Sequence, residues 1–292
     1  MPLLSDETAL KLKKLQLSTR GIVEGFLIGL HKSPYHGFSV EFSDHRQYNP
    51  GESLRDVDWK IAAKTGRYYV KRYEEETNLR SYIILDHSRS MFYESQGTSK
   101  MAYATQLAAA LAWLMISQKD AVGLVTFNDQ ITNQVPPKAI RSYLAQIFGV
   151  LVGLQAREST DLYSNLSKIA ESIRKRSLII VISDLLDDPL QVLSAFKQFR
   201  HRHHELLVFH VTDPQEDEFK FKLETEFVDS ETGEKLRVNP WQIRKEYLSQ
   251  YGEHLEFLRT ECHQARIEYI PVTTQTPVAD LLIRYLVKRG RG

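Results

Sequence analysis

From about residue 80 to the C-terminus, short continuous apolar segments alternate with longer segments that have helical periodicity. Two of the apolar segments, YIILD and SLIIVISD, have no polar face, which is typical of parallel strands that are covered by helices on both sides. A segment between them, KMAYATQLAAALAWLMIS, is apolar nearly all round, like a helix buried against a sheet. This alternation predicts an α/β fold with a doubly wound, mostly parallel sheet and helices on both faces.

Two segments do not follow this alternation. Residues 219–238 alternate between polar and apolar side chains around the turn sequence DSETGE, which is typical of a hairpin. Residues 36–76 show a similar alternation and contain an NPGE turn. We expect these two segments to meet in a small β-rich subdomain beside the sheet.

These patterns predict how the chain is divided. Residues 8–18 have the apolar spacing of a short amphipathic helix. We expect an N-terminal helix and β-rich segment over residues 1–78 that packs on the rest of the chain. Residues 79–292 would then form the main domain, with a β insertion at about 217–240.

Charge and cysteine content restrict the partners and the compartment. The chain has 38 Lys and Arg against 37 Asp and Glu, so its net charge of +1 gives no reason to expect nucleic acid or an anionic membrane as the main partner. Its single cysteine, Cys262, excludes an internal disulfide and favours a reducing compartment. Because no apolar run reaches the roughly 18–20 residues that a membrane span needs, we predict a cytoplasmic protein without a membrane span.

Oxygen-bearing side chains follow two of the predicted strands. Asp86 ends the first, with Ser88 and Ser90 on the next alternate positions, and Asp184 ends another. The carboxyl ends of parallel strands meet at one edge of a sheet, and Thr160 could reach that edge from an adjoining loop. Such an oxygen-only set suits Mg²⁺, or Mn²⁺ or Ca²⁺, better than zinc. Each piece alone is equally compatible with helix capping, which Asp, Ser and Thr commonly provide.

These pieces and an upstream segment resemble known families. DHSRS, STDL and ISD resemble the metal-ion-dependent adhesion site of von Willebrand factor A domains, and YNPGESLRDVDWKIAAKTGRYYVKRYEEE resembles the signature of a bacterial branch, the domain-of-unknown-function family DUF58. The resemblance runs from about Phe38 to at least Asp213. It departs from the family pattern in EST, which replaces a glycine-rich segment, and in the missing glycine after ISD. The resemblance implies a von Willebrand A-like fold whose metal ligands are Asp86, Ser88, Ser90, Thr160 and Asp184.

The resemblance also implies a function. Relatives of this kind suggest a divalent-metal-dependent protein–protein interaction module without catalytic activity, an accessory or adaptor of a MoxR-type AAA+ ATPase or its client in complex assembly or maturation. The residues leave two alternatives open. One is a metal-dependent hydrolase of phosphate esters, which needs a general base and a basic clamp near the metal; His87 is nearby, but no nucleophile elbow is present. The other is a structural domain with a vestigial metal site.

Two further clusters have competing interpretations. Arg55, Asp56, Asp58 and Trp59 are either a docking surface for a partner, carried mainly by Arg55, Asp58 and Trp59, or an ion-paired clamp that fixes the β-rich segment to the sheet. The histidine-rich segment RHRHHE over residues 200–205 is either a metal site or a solvated turn. We favour the turn, because basic residues are stabilised at helix C-termini.

Overall fold

The computed structural model describes residues 6–32, 46–47, 63, 69–70, 80–156, 161–221, 225–228 and 235–289. The strands in this part of the chain, numbered in order, are β1 (Arg46–Gln47), β2 (Tyr69–Val70), β3 (Arg80–Asp86), β4 (Ala121–Phe127), β5 (Ile131–Lys138), β6 (Leu178–Ser183), β7 (Glu205–Thr212), β8 (Thr225–Val228), β9 (Lys235–Val238) and β10 (Glu268–Thr273). The helices are α1 (Asp6–Lys32), α2 (Lys100–Ser117), α3 (Tyr143–Val152), α4 (Leu162–Ser172), α5 (Pro189–His201), α6 (Pro214–Glu218), α7 (Pro240–Gln264) and α8 (Val278–Arg289). A short 3-10 helix, Arg89–Phe92, follows β3.

Six of the strands form one sheet in the order β10-β7-β6-β3-β4-β5. The first five are parallel, and β5 pairs antiparallel with β4 at the edge. An edge position suits β5 because Pro136 and Pro137 cannot donate to a further strand. Gly123 of β4 allows β5 to approach closely, since a side chain there would come within 2.6 Å of the Val135 carbonyl oxygen. The predicted α/β fold with a mostly parallel sheet is confirmed.

Helices cover both faces of this sheet, and each face has its own hydrophobic core. Alternate residues of β3 point to opposite sides, so that Ile83 and Leu85 belong to one core and Ile84 to the other. The first core also contains buried side chains of α2, α3 and α8, and the second contains those of α4, α5 and α7. Cys262, on α7, is a buried free thiol in the second core. Burial on both faces explains why β3 and β6 are almost uniformly apolar.

The N-terminal helix is longer than the sequence pattern predicts. The amphipathic pattern covers residues 8–18, whereas α1 extends over Asp6–Lys32. Leu15 and Val23 are buried, and Leu15 belongs to the first core, where α1 packs against α2, α3 and α8. Packing against these helices therefore maintains a helix through a stretch that contains Gly21, a residue with low helix propensity.

The remaining strands form two small antiparallel pairs, β1 with β2 and β8 with β9. The β8–β9 hairpin lies inside the segment that the alternating pattern of residues 219–238 identifies. Phe219 stacks on Phe227 of β8 and on Tyr247 of α7, which ties the hairpin to that helix. Most of residues 36–76 lie outside the described residues, so a subdomain formed with this hairpin stays a prediction. No helix within the described ranges is long and apolar enough to cross a membrane.

Candidate metal centre

Two carboxylates lie side by side at the carboxyl edge of the sheet. Asp86 is the last residue of β3, and Asp184 directly follows β6, the neighbouring parallel strand. Both side chains are buried, since the two residues are 1% and 3% exposed. The structure thus brings together the two aspartates that the sequence places at strand ends. Ser183, the residue before Asp184, is 97 positions away from Asp86 in the sequence.

Hydrogen bonds fix the orientation of Asp86. Its Oδ1 accepts the Ser88 backbone N–H at 2.8 Å, and its Oδ2 accepts the Ser183 hydroxyl at 2.6 Å. The Ser88 and Ser90 hydroxyl oxygens lie 3.1 Å apart, directly after the strand. Four of the five predicted ligands are therefore in the described part of the chain, and they follow two adjacent strands of one sheet edge.

Thr160, the fifth predicted ligand, lies outside the described residues. The residue that follows it, Asp161, caps helix α4 by accepting the Ser164 N–H at 2.9 Å. Asn165 then donates through Nδ2 to the backbone oxygens of Asn128, at 2.9 Å, and Asp161, at 2.7 Å. These bonds tie the start of α4 to the loop after β4, next to the β3 end, so the described flank of Thr160 is anchored at the same edge of the sheet.

The carboxylate of Asp86 is in an unfavourable environment for a negative charge. Burial is the main reason that its pKa rises to about 7, and the nearby charge of Asp184 raises it further, while the bonds from Ser183 and Ser88 act in the opposite direction. A positive charge beside Asp86 would favour its ionised form.

A lysine that the sequence analysis does not identify lies beside these carboxylates. The Lys100 ammonium donates to Asp184 Oδ2 at 2.8 Å and to Glu216 Oε1 at 2.6 Å, and its side chain is 0% exposed. Burial lowers the pKa of Lys100, but the charges of Asp184 and Glu216 outweigh that effect and raise it above its usual value. The lysine is therefore a fixed positive charge inside the polar edge of the sheet.

The sequence contains a signal for Lys100. It is the first residue of α2, where Ser99 caps the helix, and a positive charge at a helix N-terminus opposes the helix dipole. A lysine at that position followed by an apolar helix indicates that acidic groups elsewhere in the chain compensate it. Glu216 carries a weaker signal, because DPQE predicts only the capping box that Asp213 and Glu216 form at the start of α6.

The backbone after Asp184 has a conformation that glycine usually adopts. Leu185 has a φ of 50°, in the left-handed region, and is fully buried. Its N–H donates to the Ser183 hydroxyl at 3.0 Å, the same hydroxyl that donates to Asp86. The family pattern has a glycine after ISD, whereas this chain has a leucine. Leu185 adopts the strained backbone conformation, and its side chain packs in the second core.

His87 is held away from a role as a free general base. Its ring is buried, with Nδ1 3.0 Å from the Gln155 carbonyl oxygen and Nε2 2.8 Å from the Thr132 hydroxyl. Both ring nitrogens therefore have partners on β5 and the segment after α3. This arrangement gives no support to the hydrolase alternative, which needs a base free to reach a substrate.

The histidine-rich segment forms a turn, as favoured from the sequence. His201 and His203 are exposed, whereas His204 is buried and accepts the Ser177 backbone N–H at 3.2 Å through Nδ1. Within the described ranges, no three His, Cys, Asp or Glu side chains are placed to hold a metal ion. The candidate centre therefore depends on two carboxylates supplemented by hydroxyl oxygens. The proposed docking residues Arg55, Asp58 and Trp59 lie outside the described residues, so their role stays a prediction.

The sheet order, the two helical layers and the polar strand ends define a von Willebrand A-like α/β domain. The chain belongs to the family described as proteins of unknown function DUF58, whose model matches residues 44–256.

Similar proteins cover most of the chain at low identity. An uncharacterized protein of Mycobacterium tuberculosis is 22% identical over 289 residues, which cover 97% of this chain and 90% of the relative. The crystal structure of an aerotolerance-related membrane protein from Bacteroides fragilis is 17% identical, with a TM-score of 0.50 over 72% of this chain and 99% of that one. The SpRpn10 VWA domain is 13% identical, with a TM-score of 0.39 over 70% of this chain and 93% of that domain. The likeness to the Bacteroides structure concerns the fold.

Proposed function

We propose that this chain is a divalent-metal-dependent protein–protein interaction module that acts as an accessory or adaptor of a MoxR-type AAA+ ATPase. The fold and the family fit an interaction module, and the family resemblance suggests the ATPase or its client as the partner, in complex assembly or maturation. The observation that carries the metal proposal is the pair of buried carboxylates, Asp86 and Asp184, at one edge of the sheet with the Ser88 and Ser90 hydroxyls.

The donor atoms fit Mg²⁺, Mn²⁺ or Ca²⁺. All are oxygens, which these cations prefer, and none is a thiolate or an imidazole. The residues that would hold the cation are Asp86, Ser88, Ser90, Thr160 and Asp184. The environment that raises the pKa of Asp86 to about 7 through burial also supports the fit, because such a carboxylate gains most from a neighbouring positive charge.

The protein residues would leave part of the coordination sphere of the ion available to a partner. Asp86 and Asp184 would offset its formal charge, and the five proposed protein ligands are one short of the six that octahedral Mg²⁺ takes. When bound, a divalent cation supplies a positive centre that an Asp or Glu side chain of a partner can approach. The loops after β3 and β6 would then form the contact surface, together with the segment that contains Thr160.

Thermal unfolding with and without metal tests the first part of this proposal. A ligand that binds only the folded state stabilises it by about 2.7 kcal/mol at a hundredfold excess over its Kd. We expect millimolar Mg²⁺ or Mn²⁺ to raise the melting temperature of the unmodified protein and to have no effect on Asp86→Ala. Asp129→Ala is the matched control, since Asp129 is an exposed aspartate after β4 at the same edge. An unmodified protein whose melting curve does not respond to either ion contradicts the proposal.

Binding to a purified MoxR-type AAA+ ATPase from the same organism tests the second part. Chelator should weaken the complex, but it also removes metal from the ATPase, so substitutions in this chain carry the test. We expect Ser88→Ala and Thr160→Ala to weaken binding at least tenfold without unfolding the domain. Ser142→Ala, which changes an exposed serine whose side chain does not cap α3, is the control. Equal affinity in all four proteins would show that the contact lies elsewhere.

One observation favours a second candidate, a structural domain with a vestigial metal site. The Lys100 ammonium already donates to Asp184, one of the two carboxylate ligands. If the lysine alone satisfies this edge of the sheet, the unmodified protein should not respond to metal at all, and a partner would bind independently of Asp86.

A further inference from the structure

Lys100 lies at the candidate metal centre as a second, covalently attached cation. Its ammonium binds only one oxygen of Asp184, Oδ2, and its other carboxylate partner is Glu216 of α6, the helix that follows β7. The ion pair with Lys100 therefore does not use Asp184 Oδ1. A divalent cation and the lysine would share one carboxylate, so their interaction with each other has to be considered.

The charges of this cluster do not balance. Asp184 and Glu216 contact a single ammonium, and Asp86 lies close enough to Asp184 for their charges to repel. When all three carboxylates are ionised, they exceed the ammonium by two negative charges, which one divalent cation would offset. Without the lysine, three carboxylates would remain at the buried edge and would attract a cation more strongly. The lysine thus reduces the negative charge that a metal meets, and in the metal-free fold it pairs with two of the three acids, Asp184 and Glu216.

The position of the ammonium is fixed by the fold. Lys100 begins α2, whose first turn is held by the Ser99 cap on the Ala102 N–H at 3.1 Å. The ammonium also lies 6.0 Å from the centre of the Tyr93 ring. Glu216 is fixed in turn, because its Oε2 accepts the Asp213 N–H at 2.9 Å in the capping box of α6. Its burial and its two carboxylate partners therefore hold the ammonium beside Asp184.

We propose that Lys100 sets the metal affinity of this centre: it weakens binding of a divalent cation through its charge and, by pairing with Asp184 and Glu216, keeps the metal-free domain folded. This inference rests on the proposed function, since it assigns a role in the same centre. Glu216 acts in the opposite direction, because its negative charge offsets the ammonium. Lys100 and Glu216 are positioning residues, and neither has to touch the metal.

Mn²⁺ titration by isothermal calorimetry, together with thermal unfolding in chelator, tests the inference on the full chain. Lys100→Met keeps the side-chain volume and removes the charge. We expect it to bind Mn²⁺ roughly tenfold more tightly or better, while its melting temperature in chelator falls below that of the unmodified protein. Lys100→Arg, which keeps the charge, should retain weak binding. Lys168→Met, which changes an exposed lysine of α4, should behave like the unmodified protein.

Glu216→Gln provides a test with the opposite sign and decides the matter if Lys100→Met fails to fold. The glutamine can still accept the Asp213 N–H, so the capping box is retained, and we expect the Kd for Mn²⁺ to rise several-fold. Equal affinity of the unmodified protein and Lys100→Met, or unchanged affinity in Glu216→Gln, overturns the inference. Binding by Lys100→Met alone supports it while contradicting metal dependence of the unmodified protein. No binding by any of these proteins overturns both.

Discussion

Three adjacent parallel strands, β3, β6 and β7, each lead into an aspartate, but the three carboxylates have different hydrogen-bond partners. Asp213, after β7, is fully buried, and its carboxylate oxygens accept hydrogen bonds from nearby residues. They accept the Gln215 N–H at 2.8 Å, the Ser95 N–H at 3.1 Å and the Ser95 hydroxyl. Asp86 accepts one N–H and one hydroxyl, and Asp184 shares Oδ2 with an ammonium.

This difference shows what decides between a structural and a functional carboxylate at a strand end. The sequences IILD, VISD and HVTD are nearly equivalent, so the strand itself does not decide. Pro214 begins a helix directly after Asp213, with Glu216 in its first turn, and the aspartate becomes the cap of that helix. Ser88, by contrast, precedes a 3-10 helix, but its side chain makes no capping hydrogen bond to that helix. The Ser88 hydroxyl next to Asp86 is therefore not used as a helix cap.

The largest effect that this comparison predicts is on Asp213→Ala. The substitution removes the cap of α6 and leaves the Ser95 and Gln215 donors without their acceptor, so we expect a loss of roughly 2–4 kcal/mol in the free energy of unfolding. The loss should be the same in Mg²⁺ and in chelator, as measured by urea unfolding. A loss that grows when metal is added would place Asp213 in the metal centre and erase the distinction.

Asp86→Asn should have a smaller effect on the metal-free protein, of at most about 1 kcal/mol. The amide has the same shape, its oxygen can accept the Ser88 N–H, and its Nδ2 can donate to the Ser183 oxygen. The substitution also removes a buried carboxyl group, and burial raises the pKa of that group to about 7. The stabilisation by Mg²⁺ should disappear in the same urea titrations. A large loss of metal-free stability, comparable to that of Asp213→Ala, would make Asp86 a structural residue.

Ser183→Ala should lower the free energy of unfolding in chelator by roughly 1 kcal/mol, close to the upper limit for Asp86→Asn and well below the loss in Asp213→Ala. The Ser183 hydroxyl donates to Asp86 and accepts the Leu185 N–H, so its removal should also weaken Mn²⁺ binding about tenfold, as loss of a group that orients a metal ligand does. Ser81→Ala is the control: Ser81 is a buried serine of β3 whose hydroxyl has no partner among the described residues. Calorimetry that gives equal Kd values for both variants would show that the Ser183 bond does not orient Asp86.

The fold and half of the site could be predicted from local patterns. Continuous apolar segments identify buried parallel strands, and the rule that carboxyl ends share one edge places Asp86 beside Asp184. Lys100 and Glu216 could not be paired in this way, because 116 residues separate them and no periodic pattern connects a helix start with a capping box. The full length of α1 could not be predicted either, since the amphipathic pattern covers only residues 8–18, whereas the helix extends over Asp6–Lys32 and packs on other helices.

The separation of Lys100 from Glu216 also affects the chain while it is being made. At about 5–20 residues per second, synthesis of the intervening residues takes roughly 6–23 seconds. During that interval the growing chain contains the lysine, and later Asp184, without the acid that completes the ion pair. The start of α2 is therefore expected to stay in contact with water on the ribosome, and the edge of the sheet to close only after β7 and the first turn of α6 have emerged.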